Sequence, residues 1–286
     1  MTTAQFYGFV GFSTALLYLA IAALSWTQLK SEASSERGVG WVTALMLIAL
    51  IGHAAALGYS VFGIAGLRFG FAHALSATLL ITGVFLWIEG FLVPLRGLYL
   101  LVAPIGAATV VLPAFFHGAS LAAEGSSVAL QLHLGVAILS YSLLTVAALH
   151  ALLMASVDHY LHQPSASPGR GLARLLAHLP PLLALETLLF RQIAVGFVLL
   201  SATLASGVAF SEELFGRPVR FDHTTAHKMV FALLAWGVFG GLLGGRAAFG
   251  WRGRTALRWT FTGFVMLLLA YVGSRFVLEV VLGRIG

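Results

Sequence analysis

Long apolar segments recur along the chain and constrain its fold more than any other feature. Eight of them have the length of a bilayer-spanning helix, at about 5–28, 41–63, 69–92, 97–116, 128–154, 188–210, 226–246 and 257–282. Inside lipid, the backbone groups of a spanning segment must be hydrogen-bonded within the protein, which a helix achieves by itself. The sequence therefore predicts an all-α, polytopic membrane helix bundle with about eight transmembrane helices. These form a single membrane domain over residues 1–286.

Composition excludes several classes of protein. Of the 286 residues, 59% are hydrophobic and only 9% are charged, whereas charged residues approach a quarter of a soluble domain. The net charge of +6 comes from basic residues in short loops, without the basic face or reading motif that nucleic-acid binding requires. The chain has no cysteine, which excludes disulfides, thiolate zinc sites and covalent heme attachment through a C-x-x-C-H sequence.

The basic residues also predict the orientation of the bundle. Lys and Arg favour loops one, three, five and seven, most clearly at Arg252, Arg254 and Arg258. Because such loops stay in the cytoplasm, both termini are predicted to be non-cytoplasmic. The first apolar segment has no basic residue before it, so it is interpreted as a retained membrane helix rather than a signal peptide. The cytoplasmic loop at about 159–185 is predicted to contain a short surface helix at 172–178.

Histidines are the main clue to function, because ionisable groups in a membrane are costly and tend to mark ion, proton or ligand sites. Five of the ten fall at the predicted outer face: His73, His117, His133, His223 and His227. His133 lies one turn inside the fifth span, which also contains Ser140 and Tyr141. The ring could bond a neighbouring carbonyl at the start of the helix. Alternatively, it could bind heme iron, which takes neutral imidazole as an axial ligand.

Polar groups deeper in the chain have simpler interpretations. His150 follows His133 by 17 residues, roughly 25 Å along a helix, which places it in the cytoplasmic half. Glu89, Glu186 and Arg191 fall at span ends and are interpreted as interfacial anchors.

A second cluster is Asp222-His223-Thr-Thr-Ala-His227-Lys228. Residues four apart share a helix face, so His223 and His227 could bind one metal ion with Asp222 or Glu213 nearby. The H-x-x-x-H spacing is weak evidence without the glutamate of the H-E-x-x-H motif. Asp222 could instead cap the helix, or one of the two rings could face His133 across a bound ligand.

Arg275 is the third polar group of interest, near the outer end of the last span. Three roles fit a cation at that depth. The side chain could extend to the membrane surface, pair with Glu279 four residues on, or bind an anion such as a heme propionate.

Four stretches together resemble the cytochrome c assembly family of bacterial membrane proteins, which includes the CcsA, HemX and YpjD types. They are Leu132-His133 through Ser140-Tyr141, Leu185-Glu186 through Arg191 and into Ser206-Gly207, His227-Lys228 through Trp236 and Gly240, and Gly250-Trp251 through Ser274-Arg275. The resemblance covers about residues 40–283 and is greatest to the HemX/YpjD-like branch. The tryptophan-rich loop of the heme-handling members is missing from Phe215–Asp222, and Val272–Phe276 lacks their second external histidine.

The resemblance implies a multi-pass protein of the bacterial inner membrane that binds or moves heme near the outer leaflet during cytochrome c biogenesis. Heme is the expected cofactor, no metal-ion site is expected, and the protein is expected not to be an enzyme. The predicted heme-binding residues are His133, His227, His223, Tyr141, Arg275 and His73.

The predicted partners are the lipid bilayer, heme, and other cytochrome c assembly or membrane transport proteins. The two departures from the family pattern keep a second interpretation open, an accessory or scaffold subunit of a membrane complex. A third is a metal-ion transport component that uses Asp222, His223 and His227. Neither alternative involves heme chemistry.

Overall fold

The computed structural model describes residues 3–30, 36–62, 68–91, 96–120, 128–161, 182–209 and 223–273. These residues form eight α-helices, a ribbon of two very short strands and one π-helical turn. In chain order they are α1 (Thr3–Lys30), α2 (Glu36–Phe62), β1 (Arg68–Phe69), α3 (Phe71–Glu89), α4 (Arg96–Phe115), β2 (Ala119–Ser120), α5 (Val128–Leu161), α6 (Leu182–Ala209), α7 (His223–Phe249), α8 (Gly253–Leu268) and the π turn (Leu269–Gly273).

The predicted all-α membrane bundle is confirmed. Helices α1 to α7 each contain a segment long and apolar enough to cross a membrane. The eighth predicted span coincides with α8 and the π turn as far as Gly273, and its remainder lies outside the described residues. The predicted surface helix at 172–178 also lies outside them. The orientation of the termini stays a prediction, so the end where α3, α5 and α7 begin is called the predicted outer face below.

Two helices extend beyond the spans predicted from hydropathy. Helix α5 continues to Leu161 and α6 begins at Leu182, although both extensions include charged residues. Asp158 near the end of α5 accepts a 2.8 Å hydrogen bond from Arg254. Glu186 in the first turns of α6 pairs with Arg246 and Arg252, at 3.4 and 3.2 Å. Because these carboxylates have cationic partners, the charge does not end either helix.

The helices pack as two groups of four. Helices α1, α2, α3 and α4 contact one another and form the first group, while α5, α6, α7 and α8 form the second. Helix α3 joins the groups by packing against α5 and the π turn. Within the second group, α5 and α6 form the most extensive contact. Large side chains fill both interiors, for example Tyr18 and Met46 in the first group and Leu144 and Phe239 in the second.

A short two-stranded ribbon lies at the predicted outer face of the first group. Strands β1 and β2 pair antiparallel, with Arg68 opposite Ser120 and Phe69 opposite Ala119. Gly118 enters β2 with φ of +66°, and a Cβ there would lie 2.7 Å from the backbone of Phe69 and Gly70. Only glycine meets both requirements without strain. The ribbon holds the loop before α3 against the loop after α4. His117 is exposed there.

Candidate functional site

His133 lies in the second turn of α5, at the predicted outer face, and is partly buried. Its Nδ1 forms a 2.9 Å hydrogen bond with the hydroxyl of Ser206 on α6. Among the described residues, Nε2 has no hydrogen-bond partner. The ring is therefore bound across the contact between two helices. It does not bond a carbonyl at the start of its own helix, which was one of the two interpretations of the sequence.

The partner of the ring determines its tautomer. A serine hydroxyl has one hydrogen to donate, and Ser206 donates it to the carbonyl oxygen of Thr203 at 3.0 Å. If both contacts of Ser206 are hydrogen bonds, His133 donates from Nδ1 to Ser206 and keeps the lone pair on Nε2. A neutral imidazole held by its other ring N–H is the arrangement typical of metal-binding histidines.

Close packing of α5 on α6 supports this arrangement. Ser140, two turns deeper on α5, donates a 3.0 Å hydrogen bond to the carbonyl oxygen of Gly196 on α6. A Cβ at Gly196 would lie 2.8 Å from two atoms of Leu144, so the two helices approach as closely as they do because this residue is glycine. We call the contact from His133 and Ser206 through Ser140 and Gly196 the α5–α6 seam.

The surroundings of His133 are apolar and open. Leu132 and Val208, beside the two bonded residues, are 64% and 61% exposed. A Cβ at Gly207 would meet only the His133 ring, at 3.4 Å, and one at Gly135 would meet nothing within 4 Å. The outer half of the seam therefore presents an apolar surface with one imidazole, which suits a flat apolar ligand better than a hydrated ion.

Tyr141 faces a different part of the molecule. It lines an apolar cavity of about 80 Å³ between the two helix groups. The wall consists of Phe69, Ala74, Leu75, Thr78, Leu79, Leu134, Ala137, Ile138, Tyr141, Thr145, Phe264, Leu268 and Val272. Pockets for drug-sized ligands measure about 300–1,000 Å³, so a porphyrin does not fit this cavity. The structure separates Tyr141 from the His133 side of α5.

His73 is placed in the first group. The ring is fully buried, its Nε2 bonds the Ser60 hydroxyl on α2 at 2.8 Å, and its Nδ1 has no hydrogen-bond partner among the described residues. His53, deeper in the same group, has both ring nitrogens bonded, to Tyr18 at 3.2 Å and Ser76 at 2.8 Å. His53 therefore has a structural role, whereas a ligand-binding role for His73 stays a prediction.

The remaining predicted site residues cannot be placed next to His133. The backbone of His223 and His227 forms the first turns of α7, which packs on α6, but their side chains lie outside the described residues. Asp222 and Arg275 lie outside them altogether. The predicted convergence of His133 with His223 or His227 stays a prediction. Among the described residues no three His, Cys, Asp or Glu side chains are grouped as metal ligands.

A cluster that the sequence did not predict lies at the opposite end of the bundle. Gln192 on α6 donates a 2.6 Å hydrogen bond to Glu89, the last residue of α3, and Nε2 of His150 on α5 lies 3.7 Å from Glu89 Oε2. The interpretation of Glu89 as an interfacial anchor is incomplete, because its carboxylate is turned inward. The sequence feature that could have grouped these three polar residues is that they lie at a similar depth in their spans.

The family profile described as cytochrome c assembly protein matches residues 11–282. The chain belongs to this family. It is 34% identical over 149 residues to the inner membrane protein YpjD of Escherichia coli K12, covering 52% of each chain. A 28.8 kDa protein of Azospirillum brasilense is 32% identical over 154 residues, covering 54% of this chain and 53% of that one.

A third relative is the cytochrome c biogenesis protein CcsA of Prochlorococcus marinus MIT 9215, 30% identical over 160 residues, or 51% of this chain and 50% of CcsA. The chain spans about half the length of the curated relatives it matches. No solved structure matches it. The predictions of family and of a multi-pass inner membrane protein are confirmed by the profile, the seven spans and the inner membrane relative.

Proposed function

We propose that this protein acts in cytochrome c biogenesis by binding or moving heme near the outer leaflet of the bacterial inner membrane. Membership of the cytochrome c assembly family and the similarity to CcsA support the process. The observation that carries the heme proposal is the partly buried His133 ring, which uses Nδ1 for the hydrogen bond to Ser206 and has exposed apolar side chains nearby. Neutral imidazole nitrogen is a standard axial ligand of heme iron.

The apolar surface beside His133 fits a porphyrin better than the enclosed cavity beside Tyr141 does. The cavity beside Tyr141 is too small at about 80 Å³, so the ligand would lie against the outer part of the α5–α6 seam. Helix α7, which packs on α6, adds exposed apolar side chains in its outer half, including Val230, Leu233 and Leu234. His133 would supply one axial ligand, and His227 or His223 at the start of α7 would supply the second.

The proposed role is binding or transfer of heme without catalysis by the chain. Heme supplies the redox and ligand chemistry when it is bound. The residues of the chain would hold the heme through His133, orient that ring through Ser206 and keep the site apolar. Arg275 is proposed as a partner for a propionate, and other assembly or membrane transport proteins are proposed as the source or acceptor of heme.

The test is a hemin titration of the purified full chain in lipid nanodiscs, followed by the Soret absorbance. We expect saturable binding by the wild type and binding weaker by about 100-fold or more in His133→Ala, because loss of a ligand costs at least as much as loss of its orienting partner. His117→Ala is the matched control. His117 is an exposed histidine at the same predicted outer face, and its loss should leave the titration unchanged.

Two outcomes would contradict the proposal. If the wild type neither contains heme nor takes up hemin, the accessory or scaffold role becomes the better explanation. If His133→Ala and His117→Ala bind hemin as the wild type does, any heme site lies elsewhere on the chain.

A further inference from the structure

The cluster of Glu89, His150 and Gln192 has no part in the proposed heme site, yet most of its polar surface is enclosed by protein. His150 is fully buried and Gln192 is 5% exposed. The Glu89 side chain is 17% exposed. The three residues come from three different spans and meet near the ends of those spans opposite His133, so they are separate from that site.

The hydrogen bonds within the cluster show which atoms remain to be satisfied. His150 Nδ1 bonds the carbonyl oxygen of Val146 at 2.9 Å. Because a carbonyl can only accept, Nδ1 carries a hydrogen and a neutral ring has its lone pair on Nε2. Gln192 uses its amide N–H on Glu89 Oε1. The buried atoms without a hydrogen-bond partner are then Glu89 Oε2, His150 Nε2 and Gln192 Oε1.

These three atoms are all acceptors when Glu89 is ionised and His150 is neutral. Glu89 Oε2 and His150 Nε2 lie only 3.7 Å apart, with lone pairs on both. Leaving buried acceptors unsatisfied is destabilising, and more so for a charged group. The cluster therefore lacks a hydrogen, and Glu89 Oε2 and His150 Nε2 are the two atoms that can carry it.

Among the described side chains, no cation neutralises the charge of an ionised Glu89. The neighbouring charged side chains on α5, α6, α7 and α8 are either paired with one another or exposed. The pairs are Glu186 with Arg246 and Arg252, and Asp158 with Arg254. The exposed ones are His159, Arg191 and Arg258. Within the described part of the chain, an ionised Glu89 beside a neutral His150 would be a mostly buried negative charge without a cation, and such charges are expensive.

We propose that Glu89 and His150 form a buried proton-binding site in which the pair holds one proton, on either Glu89 Oε2 or His150 Nε2. The proton makes the pair neutral overall, whichever of the two atoms holds it. Gln192 fixes the carboxylate from the other side, and Val146 fixes the tautomer of the ring. The partly exposed Glu89 connects the site to water at the end of the bundle opposite His133, so the proton exchanges with that side.

A bound metal ion is the less suitable occupant. The described residues include no group of three His, Cys, Asp or Glu side chains that could hold one. A carboxylate and an imidazole suffice to hold a proton, because either group binds it at a single atom. The proposal is independent of heme and stands whether or not the heme site is confirmed.

Spectroscopy on the full chain in lipid nanodiscs at neutral pH tests the proposal. Infrared spectroscopy detects a protonated carboxyl by its carbonyl band, and ¹⁵N magnetic resonance distinguishes a protonated Nε2 from one with a lone pair. Glu89→Gln, which keeps an oxygen for Gln192, assigns the carboxyl signal. Glu186→Gln is the matched control. Glu186 is a buried glutamate on α6, but it pairs with two arginines. His150→Leu assigns the ring signal.

The expected result is one proton on the pair, seen either as a carboxylic-acid band lost in Glu89→Gln and kept in Glu186→Gln, or as a protonated His150 Nε2. The proposal is overturned if Glu89 is a carboxylate while His150 Nε2 keeps its lone pair, or if both groups are protonated together. If His150→Leu fails to fold, the wild-type and Glu89→Gln spectra still decide between these outcomes.

Discussion

Two histidines on one helix have opposite surroundings. His133 and His150 both lie on α5 and both use Nδ1 for a hydrogen bond, His133 to a side chain of α6 and His150 to a carbonyl of its own helix. The difference is at Nε2. The His133 ring is only partly buried, whereas His150 Nε2 is enclosed and lies 3.7 Å from a carboxylate. If both proposals hold, the surroundings of the ring, rather than its depth in the membrane, separate a ligand-binding histidine from a proton-binding one.

The largest expected effect is the difference in stability between the His150→Ala and His133→Ala variants. We expect His150→Ala to lower the free energy of unfolding by about 2–5 kcal/mol, because it leaves a cavity where a fully buried ring was. His133→Ala should cost about 1 kcal/mol, the net contribution of one hydrogen bond at a partly exposed position. Thermal unfolding of both variants in one detergent measures the difference. Equal destabilisation by the two substitutions would show that both rings are primarily structural.

The next prediction tests whether the α5–α6 seam holds the side chains at both ends of α5 in place. Gly196→Ala should destabilise the protein by about 1–3 kcal/mol, because a Cβ would lie 2.8 Å from the fully buried Leu144 and cannot be accommodated without a shift. Gly135→Ala on α5 is the control. A Cβ there meets nothing within 4 Å, so alanine should stabilise the helix by about 0.5–1 kcal/mol.

Hemin affinity and the infrared acid band, measured in the same Gly196→Ala protein, report on the two ends of α5. If the helices separate, we expect the hydrogen bond of His133 to Ser206 to weaken and the hemin affinity to fall. An unchanged stability together with an unchanged affinity would mean that the seam adjusts to the extra methyl group and does not position His133.

The sequence predicted the fold well because length and hydropathy alone determine a bilayer-spanning helix. It also predicted that His133 would be a functional candidate, since an ionisable residue inside an apolar segment is visible in one dimension. It did not predict that Tyr141, eight residues later, would face the cavity between the helix groups while His133 faces α6. Which side of α5 faces which neighbour depends on the packing of helices distant in sequence.

The cluster at the other end of α5 was missed for a related reason. Glu89, His150 and Gln192 are separated by 61 and 42 residues, and no sequence motif groups them. Only the packing of α3, α5 and α6 shows that their polar atoms converge. Ser206 was part of the family resemblance, but its role as the partner that determines the tautomer of His133 required the three-dimensional contact.

The smallest effect, and the most specific one, concerns that partner. Ser206→Ala removes the acceptor for His133 Nδ1 and should weaken hemin binding by about tenfold, as loss of an orienting hydrogen bond does for metal-binding histidines. This corresponds to about 1.4 kcal/mol. Ser206→Thr, which keeps the hydroxyl, should restore most of the affinity. Ser201→Ala is the control, because Ser201 bonds Trp236 and the Phe197 carbonyl on the same helix and does not contact His133.

The same variant also discriminates between the two ends of α5. Ser206→Ala should leave the infrared acid band of Glu89 unchanged, since His150 and Gln192 do not depend on the outer part of the seam. Wild-type hemin affinity in Ser206→Ala, combined with its loss in His133→Ala, would show that another group orients the ring. The inference that His133 presents its Nε2 lone pair would then have to be abandoned, because that inference rests on the single hydrogen that Ser206 gives to Thr203.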